Sequence, residues 1–385
     1  MVKSIVLITN HLTPYRKFFY DELYVTSQNL GIKFSVLLMT KCEPQRNWNY
    51  EELKSDYAIL MKGIHFSFPI NNHLNIQAID LLKKIKPDIV IMAGSYFYYT
   101  NWLVLAYRKK LKCLTYFWSE THLQEIRSYN KFTFNIRDWF RRIIYRKFDG
   151  FWYSGKLSKE FITHYANHPV HLCFVPNLID NQFYLTRAML LSNQKIQLRK
   201  KWNIPIENKI LITPARLSIV KGIHTFIDLL KKIAGLKHIT MLISGVGEYQ
   251  STIEEKIKES GLDIRLLGFQ QKLALSELYA LSDIFLLPSL SDPNPLSCIE
   301  ALWSMKPLLV SKHVGNYPEV IEEEVNGYVF DYAKPNEAIK KINKILTADE
   351  EWMKNAQRKS LEIANKIYNP NKSVKKIINE MINVK

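Results

Sequence analysis

Short apolar runs alternate along the chain with helix-length segments that are polar on one side. The strand-like runs are 3–8, 33–39, 88–92, 112–117, 149–154 and 171–175 in the first half, and 209–213, 239–244, 264–267, 283–287 and 307–310 in the second. Near-continuous apolar strands separated by helices are typical of a parallel sheet that is covered on both faces. The pattern predicts an α/β protein with two successive Rossmann-like sets.

The turn-forming residues of VPNLIDNQFY (175–184) separate these two sets. We predict a first domain over 1–175, a second over 176–360, and a C-terminal helix within 361–385 that packs back on the first domain. No apolar run approaches the roughly 18–20 residues that a membrane span needs. The apolar stretch at the N-terminus indicates a first β-strand and not a signal peptide.

Charge adds an expectation about partners. The net charge is +17, and residues 1–175 carry 24 Lys and Arg against 13 Asp and Glu. Such an excess favours an anionic partner: nucleic acid, an acidic membrane surface or a phosphorylated ligand. The four cysteines are scattered and form no C-x-x-C pair, which is typical of a reduced, cytosolic protein.

The segment ILITPARLSIVKG (210–222) places two cations after a strand. The strand ends near Thr213, a helix begins near Gly222, and Arg216 and Lys221 stand between them. Ligands of open α/β sheets bind beyond the carboxyl ends of the strands, and helix N-termini there favour anions. Two cations in this turn would suit a diphosphate, although a solvated basic loop is the alternative.

The segment LLPSLSDPNPLSCIEALW (286–303) combines two acids with the start of a helix. Asp292 lies in the loop that follows a strand, Asn294 has the pattern of an N-cap, and Pro295 that of the first helical residue. Glu300 then lies about 9 Å along the helix. Between the two acids are the N–H groups of Leu296 and Ser297. This order could hold a sugar, then phosphates, then a ribose; a surface loop and a core helix are the alternative.

Several further residues follow predicted strands. Gly245 and Gly247 would allow close backbone approach to a ligand, but Gln250 breaks a dinucleotide fingerprint. In the first half, Glu120 and His122 follow the strand at 112–117. The first strand–helix turn contains Thr13 and Pro14. No D-x-D occurs, which disfavours a nucleotide anchored through a carboxylate-bound metal. Arg216, Lys221 and the helix dipole would supply that positive charge.

The segment 132–148 is both basic and aromatic. On a helical wheel Ile136, Trp139, Phe140, Ile143 and Ile144 share one face, and arginines flank it at 137, 141, 142 and 146. This pattern suits a helix lying on a membrane surface. The alternative is an ordinary crossover helix that packs one face on its sheet.

Together these segments resemble the family-4 retaining glycosyltransferases of the GT-B fold, in which two Rossmann-like domains face each other across a cleft. The resemblance is strongest over 175–331, in VPNLIDNQFY, PARLSIVKG, GVGE, LLGF, LYALSDIFLLPS and VGNYPEVIEEEVNGYVF. Residues 1–170 are less similar, as expected for an acceptor-binding half. The family's signature is a Glu, seven intervening residues and a second Glu, which here is Glu300. Asp292 takes the place of the first Glu, and an Asn-Pro pair replaces the aromatic-glycine pair that usually follows.

The resemblance implies a role for each of these residues. Arg216 and Lys221 would stabilise the leaving diphosphate, Glu300 would bind the ribose, and the Gly268 region would lie at the base. Gly245 would also take part in donor binding. Asp292 would orient the sugar, beside His122. Asn294, Pro295, Leu296 and Ser297 would line the donor site, and Thr13, Pro14 and Glu120 the acceptor side. In the proposed front-face mechanism no residue is a covalent nucleophile.

The implied function is retaining, metal-independent transfer from a nucleotide diphosphate sugar, with a UDP-sugar expected first and a GDP-sugar second. The acceptor would be a glycan or a lipid-linked molecule in surface polysaccharide, lipopolysaccharide or glycolipid biosynthesis. We expect no cofactor besides the sugar nucleotide, no nucleic-acid partner, and a cytoplasmic protein that is peripheral on the membrane's inner face. The alternatives are a GT-B epimerase or phosphorylase and a binding protein that has lost the chemistry.

Overall fold

We describe the fold from a computed structural model, which describes residues 2–42, 50–66, 71–123, 131–233 and 236–384. The strands are β1 Ser4–Thr9, β2 Lys33–Leu38, β3 Ala58–Leu60, β4 Ile64–Phe66, β5 Asn72–Leu74, β6 Ile89–Met92, β7 Leu114–Ser119, β8 Gly150–Tyr153, β9 His171–Phe174, β10 Lys209–Pro214, β11 Ile239–Ser244, β12 Ile264–Leu266, β13 Ile284–Leu287, β14 Leu308–Ser311 and β15 Gly327–Phe330. The helices are α1 Pro14–Asn29, α2 Tyr50–Leu53, α3 Gln77–Ile85, α4 Tyr99–Leu111, α5 Lys131–Tyr145, α6 Lys156–Ala166, α7 Asn181–Leu191, α8 Lys195–Lys201, α9 Ile223–Leu230, α10 Gln250–Ser260, α11 Lys272–Leu281, α12 Leu296–Trp303, α13 Tyr317–Val320, α14 Pro335–Leu346, α15 Glu350–Ile367 and α16 Pro370–Ile382.

Contacts divide the chain into two units. The first contains the described parts of residues 1–120 and 127–178 and the segment from Pro370 onward; the second contains the described parts of 121–126 and 179–369. The chain changes unit after Leu178 and not after Val175, because both residues are buried in the core of the first unit. The returning segment begins at Pro370 and not at 361, since α15 packs on α12 and α13 of the second unit.

A seven-stranded sheet forms the centre of the first unit. Its order is β3-β2-β1-β6-β7-β8-β9, and its neighbouring strands are parallel. All six residues of β1 are buried, as its apolar sequence predicts for a central strand. One face carries a core that includes residues of α1 and α16, and the other a core that includes residues of α3, α4 and α6.

A six-stranded parallel sheet forms the centre of the second unit. Its order is β12-β11-β10-β13-β14-β15. The chain builds outward from β10 to β12 in one direction and then returns to β13 on the other side. The strand order therefore reverses between β10 and β13, and such a switch point is where open α/β sheets bind ligands.

Some elements differ from the sequence prediction. Strands β3, β4, β5 and β15 had no predicted counterpart; β4 is exposed along its three residues, so it lacks an apolar signal. Helix α12 begins at Leu296, not at Pro295, and its N-cap is Pro295, not Asn294. The reason is that Pro295 has a ψ of 127°, which is extended backbone, so helical geometry begins one residue later.

Helix α5 divides its apolar residues between two sides. Phe140 stacks on Phe97 at 5.4 Å between ring centroids, and Ile144 is buried, whereas Ile136, Trp139 and Ile143 are exposed. The predicted apolar face is therefore divided, with one edge toward the core and the other toward solvent. The flanking Arg141 is buried, and its guanidinium lies over the rings of Tyr96, Phe161 and Tyr165.

Helix α16 packs on α1 and β9 of the first unit. Its buried residues, Val374, Ile377, Ile378 and Met381, join the core that contains Trp118 and Trp152. The Trp152 indole N–H donates to the Met381 sulfur at 3.1 Å. The last helix of the chain therefore completes the core of the unit that contains the first strand.

Candidate functional site

The loops that follow β10 and β13 meet at the switch point of the second sheet. The chain turns through a short 3₁₀ segment, Ile219–Lys221, and enters α9 through Gly222. The Leu290 N–H donates to the Val220 carbonyl at 2.7 Å, which ties the two loops together. The residues that these loops carry are consequently held close to each other.

Gly222 allows this close approach. Its φ is +63°, and a Cβ atom there would lie 2.2 Å from the Pro288 carbonyl oxygen. The Tyr332 hydroxyl donates to that same oxygen at 2.8 Å. The turn that carries Lys221 is thus packed directly on the end of β13.

Lys221 and Asp292 form an ion pair across these loops. The Lys221 Nζ contacts Asp292 Oδ2, and the two side chains are 23% and 10% exposed. Two backbone hydrogen bonds fix the Asp292 position: its N–H donates to the His313 carbonyl at 3.2 Å, and its carbonyl accepts from Gly315 at 2.7 Å. The structure therefore joins a cation predicted for the diphosphate with the acid predicted for the sugar.

Arg216 lies on the same connection but makes a different pair. Its guanidinium binds the Glu248 carboxylate at 2.9 Å, and both side chains are about 60% exposed. The Glu248 loop is held against the Arg216 loop through glycine, because a Cβ at Gly245 would lie 2.0 Å from the Ala215 carbonyl oxygen. The Gly245 N–H also donates to the Gly268 carbonyl at 2.8 Å, so both glycines predicted for donor binding adjoin the loop after β10.

His122 lies beside the Asp292 loop. It is buried, and its Cδ2 atom is 2.6 Å from the place that a Cβ of Gly315 would occupy. The Pro293 carbonyl oxygen is 1.9 Å from that same place. The structure thus brings the predicted His122 next to the loop that contains the predicted Asp292. The absence of a side chain on Gly315 leaves room for this approach.

The N-terminal turn of α12 lies between the two acids. Leu296 and Ser297 are the first residues of this helix, and their N–H groups have no partner within the helix because they belong to its first turn. Asn294 is buried, and the Asn316 side chain donates to the Pro295 carbonyl at 3.0 Å, which fixes the entry to the helix. The free N–H groups and the helix dipole favour an anion at this end.

Glu300 lies one turn further along α12 with two tyrosines. The Tyr279 hydroxyl donates to Glu300 Oε2 at 3.0 Å, and Tyr184 lies near enough for its hydroxyl to act on the pKa of the same carboxylate. Burial raises the pKa of Glu300, while these two hydroxyls and Lys272 lower it. Neither tyrosine was predicted from the sequence; the only signal was that a buried acid needs a partner.

The predicted acceptor-side residues gather in the first unit. The Thr13 hydroxyl caps α1, which begins at Pro14, by accepting from the Arg16 N–H at 3.3 Å. The Arg16 guanidinium binds Glu120 at 3.0 Å and Asn177 at 3.1 Å, and it lies over the Trp118 ring at 3.9 Å. The sequence analysis did not identify Arg16. Its position in the first turn of a helix that directly follows a strand was a usable signal.

Two kinds of feature are absent from the described residues. Within those ranges no three His, Cys, Asp or Glu side chains group as metal ligands would. No helix in the same part of the chain is both long and apolar enough to cross a membrane.

Comparison with known proteins gives the class. Residues 194–360 match the model of the family described as Glycosyl transferases group 1. Over this segment the chain is similar to the group 1 glycosyltransferases, in agreement with the predicted class. It is 29% identical over 148 residues to an uncharacterized glycosyltransferase of Methanocaldococcus jannaschii, a match that covers 38% of this chain and 37% of that protein. It is 27% identical over 146 residues to the amylovoran biosynthesis glycosyltransferase AmsK of Erwinia amylovora, with 34% and 35% covered.

A solved structure is similar over almost the whole length. HepE of Anabaena in complex with UDP has a TM-score of 0.75 with 14% sequence identity, and the match covers 99% of this chain and 100% of that one. At this identity the likeness concerns the fold alone, and it confirms the predicted GT-B class. The matched segments span only a little over a third of the two sequence relatives' lengths.

Proposed function

We propose that the protein is a retaining glycosyltransferase that moves a sugar from a nucleotide diphosphate sugar to a glycan or lipid-linked acceptor. The observation that carries this proposal is the Lys221–Asp292 pair at the switch point, in front of the α12 N-terminus and with Glu300 behind it. A cation, free N–H groups and two acids in this order match the charges of a sugar diphosphate nucleotide. Nucleic acid, an acidic membrane surface and a phosphorylated ligand are the three classes of anionic partner that the net charge favours. Only the phosphorylated ligand uses every one of these groups.

The donor would lie along this series of groups. The diphosphate would accept hydrogen bonds from Lys221, from Arg216 and from the N–H groups of Leu296 and Ser297. The ribose would bind Glu300, and the base would lie against the Gly245–Gly268 loops. We propose a UDP-sugar first, since the similar HepE structure contains UDP, and a GDP-sugar second.

Lys221 has a double task in this proposal. Its ammonium group has three N–H donors, so it can bind a phosphate oxygen while it keeps the Asp292 carboxylate in place. Asp292 would then accept hydrogen bonds from hydroxyl groups of the sugar, and His122 would line the same part of the site. Arg216 is exposed and would exchange Glu248 for the diphosphate when the donor binds.

The transfer step needs charge stabilisation more than a nucleophile. As the bond between the anomeric carbon and the phosphate oxygen breaks, negative charge grows on the diphosphate, where Lys221 and Arg216 would stabilise it. The acceptor oxygen bonds to the same face of the anomeric carbon, and its proton passes to the leaving phosphate. In this scheme the configuration is retained and the two cations supply the positive charge that a metal would otherwise supply.

Activity measurements on charge-removal variants test the reaction. Lys221→Ala is expected to lower the transfer rate by roughly 10²-fold or more, which is the usual loss when transition-state charge stabilisation is removed. Lys256→Ala is the matched control, because Lys256 pairs with Asp228 in the same unit but lies outside the site. Donor binding by wild type that Lys221→Ala weakens, with no transfer by either protein, would favour the binding-protein alternative.

We propose surface polysaccharide, lipopolysaccharide or glycolipid assembly as the setting, with the enzyme cytoplasmic and peripheral on the inner membrane face. The relative AmsK is named for amylovoran biosynthesis. The outer face of α5 (Ile136, Trp139 and Ile143) supports membrane contact. These residues are 50%, 63% and 36% exposed, and basic residues flank them, including the exposed Arg146 and Lys147. An apolar stripe bordered by arginine and lysine is typical of a helix that lies in an anionic interface.

Vesicle binding tests this membrane contact. The protein should sediment with vesicles that contain anionic lipid at low salt, and less so with neutral vesicles or at high salt. Trp139→Ser should weaken the binding, whereas Ile206→Ser, which removes an exposed apolar side chain from the second unit, should not. Equal sedimentation of wild type and Trp139→Ser would contradict a role for the α5 outer face.

A further inference from the structure

The two tyrosines beside Glu300 are an arrangement that the proposed donor contacts leave unexplained. Tyr184 lies on α7 and Tyr279 on α11, and both helices pack together. Tyr279 is fully buried and Tyr184 is 4% exposed. Their rings meet edge to face at 6.1 Å, and the ring of Tyr279 stacks on Phe285. The Tyr279 hydroxyl thus binds the Glu300 carboxylate, and a second helix brings the Tyr184 hydroxyl near it.

The hydroxyl groups serve the carboxylate and not the packing. A phenylalanine ring would fill the same space in this core, so the contribution that is particular to tyrosine is the O–H group. The Tyr279 oxygen lies 3.0 Å from Glu300 Oε2 and 3.2 Å from the Ser297 carbonyl oxygen. Since Ser297 is in the first turn of α12 and Glu300 in the next, Tyr279 spans both parts of the helix that the donor would contact.

The groups around Glu300 affect the pKa of its carboxyl group in opposite directions. Burial is the largest influence on Glu300 and raises its pKa, and the two hydroxyls act against it. Lys272, on α11, is the cation that also lowers the pKa. The neighbouring Cys298 thiol is buried, which raises its pKa far above the usual value, so it adds no charge. The two hydroxyls, together with Lys272, therefore favour the ionised carboxylate against the effect of burial.

We propose that Tyr184 and Tyr279 are positioning residues that hold the Glu300 carboxylate toward the ribose diol, so that the site selects ribonucleotides over 2′-deoxyribonucleotides. The inference rests on the proposed function for the location of the nucleotide. Oxygen Oε2 already accepts the Tyr279 hydroxyl, and the remaining lone pairs are left for the two ribose hydroxyls. A nucleotide without the 2′-hydroxyl leaves one of these acceptors unpaired, and buried sites discriminate strongly against such ligands.

Binding calorimetry with UDP, 2′-deoxy-UDP, GDP and 2′-deoxy-GDP tests the inference. Wild type should bind its preferred ribonucleotide at least about tenfold more tightly than the deoxy form. Tyr184→Phe and Tyr279→Phe keep the ring and remove only the hydroxyl, so both should fold. Each should weaken ribonucleotide binding by roughly three- to tenfold and reduce the ribo-to-deoxy ratio. Tyr328→Phe, a buried tyrosine on β15, is the control and should change neither quantity.

The pH dependence separates positioning from packing. Binding requires the ionised form of Glu300, so affinity should fall as the pH falls through the Glu300 pKa. Without one hydroxyl that pKa is higher, and the fall should begin at a higher pH in the Phe variants than in wild type. A purely structural role would weaken binding equally at all pH values. In turnover assays the donor KM should rise while kcat at saturation stays near the wild-type value.

The outcomes distinguish this inference from the proposed function. If Glu300→Gln abolishes the ribo preference but both Phe variants behave as wild type at every pH, the positioning role is wrong and the donor site stands. If no nucleoside diphosphate binds wild type, or if Glu300→Gln has no effect, the proposed donor site itself is wrong. A reduced ribo-to-deoxy ratio with a shifted pH profile in both Phe variants supports the inference.

Discussion

At the scale of a single residue, the missing side chain of Gly315 decides the shape of the candidate site. A Cβ there would overlap the Pro293 carbonyl oxygen and the His122 ring, at 1.9 Å and 2.6 Å. Neither the peptide nor the buried imidazole can move away without displacing the Asp292 loop. The glycine is needed for space, since its backbone is not among those with positive φ.

We therefore expect Gly315→Ala to lose most transferase activity and to destabilise the second unit by about 1–3 kcal/mol, as overpacking does. Gly327→Ala is the matched control, because its Cβ would lie 2.0 Å from the Leu308 carbonyl oxygen, away from the site. Thermal unfolding and activity should be measured together, at a temperature where both variants are folded. Equal activity of the two variants would contradict a particular role for Gly315.

Lys306 makes stability depend on pH. Its side chain is buried and donates to the Ser282 carbonyl at 2.9 Å. Burial, together with the nearby Lys195, lowers the pKa of Lys306 to about 7, which Asp283 partly offsets. In the unfolded chain the pKa of lysine is about 10.4. Between pH 7 and 10 the unfolded chain therefore holds a proton that the folded chain has lost.

Folding stability should consequently rise with pH across this window, by at most about 1.4 kcal/mol for each pH unit, and should level off below pH 7. The comparison of wild type with Lys306→Met, by chemical denaturation at pH 6, 7, 8 and 9, isolates this contribution from other groups. The free energy of unfolding of wild type should rise with pH relative to that of Lys306→Met. A constant difference would mean that Lys306 keeps its ordinary pKa when folded.

At the scale of an element, helix α16 contributes buried residues to the core of the first unit, although it lies about 200 residues after the preceding segment of that unit. Ile377→Ala should destabilise this unit by about 2–5 kcal/mol, the usual loss for a buried isoleucine. Amide hydrogen exchange should become faster in α1 and β9, which α16 contacts, and stay unchanged in β10 and β11. The exposed Lys375→Ala is the control. Faster exchange throughout both units would contradict this assignment.

The same scale shows what the sequence could predict. The positions of the long strands along the chain were predictable, because parallel strands that are buried on both faces consist of nearly continuous apolar residues. The three-residue strands β3, β4 and β5 were not, since three residues carry no periodicity. In α5, Ile136 and Phe140 are four residues apart and equally apolar, and only the position of Phe97 determines that Phe140 faces inward.

The candidate site was predictable to a different extent. Arg216, Lys221, Asp292 and Glu300 follow strand ends or a helix start, so their neighbourhood followed from topology. Their partners did not: Lys221 binds Asp292 while Arg216 binds Glu248, a division set by loop packing through glycines 222 and 245. Tyr184 and Tyr279 come from helices distant in sequence, so no local pattern links them to Glu300.

At the scale of the whole molecule, a nucleotide should stabilise the fold. A nucleoside diphosphate at about 100 times its Kd is expected to raise the free energy of unfolding by roughly 2.7 kcal/mol. UDP, GDP, ADP and CMP should be compared by thermal shift with wild type and Lys221→Ala. One diphosphate should give a clear shift that Lys221→Ala loses. A shift of the same size in both proteins would show that the ligand binds away from Lys221.

The return of α16 also orders events during synthesis. Ribosomes release a chain from its N-terminus onward, so all of Ile179–Asn369 emerges before the helix that covers α1. The second unit can be complete while the first, although made earlier, still exposes the apolar side of Phe19 and Leu23. The half that is translated first is thus the half that finishes last, and until then its uncovered apolar surface is open to aggregation.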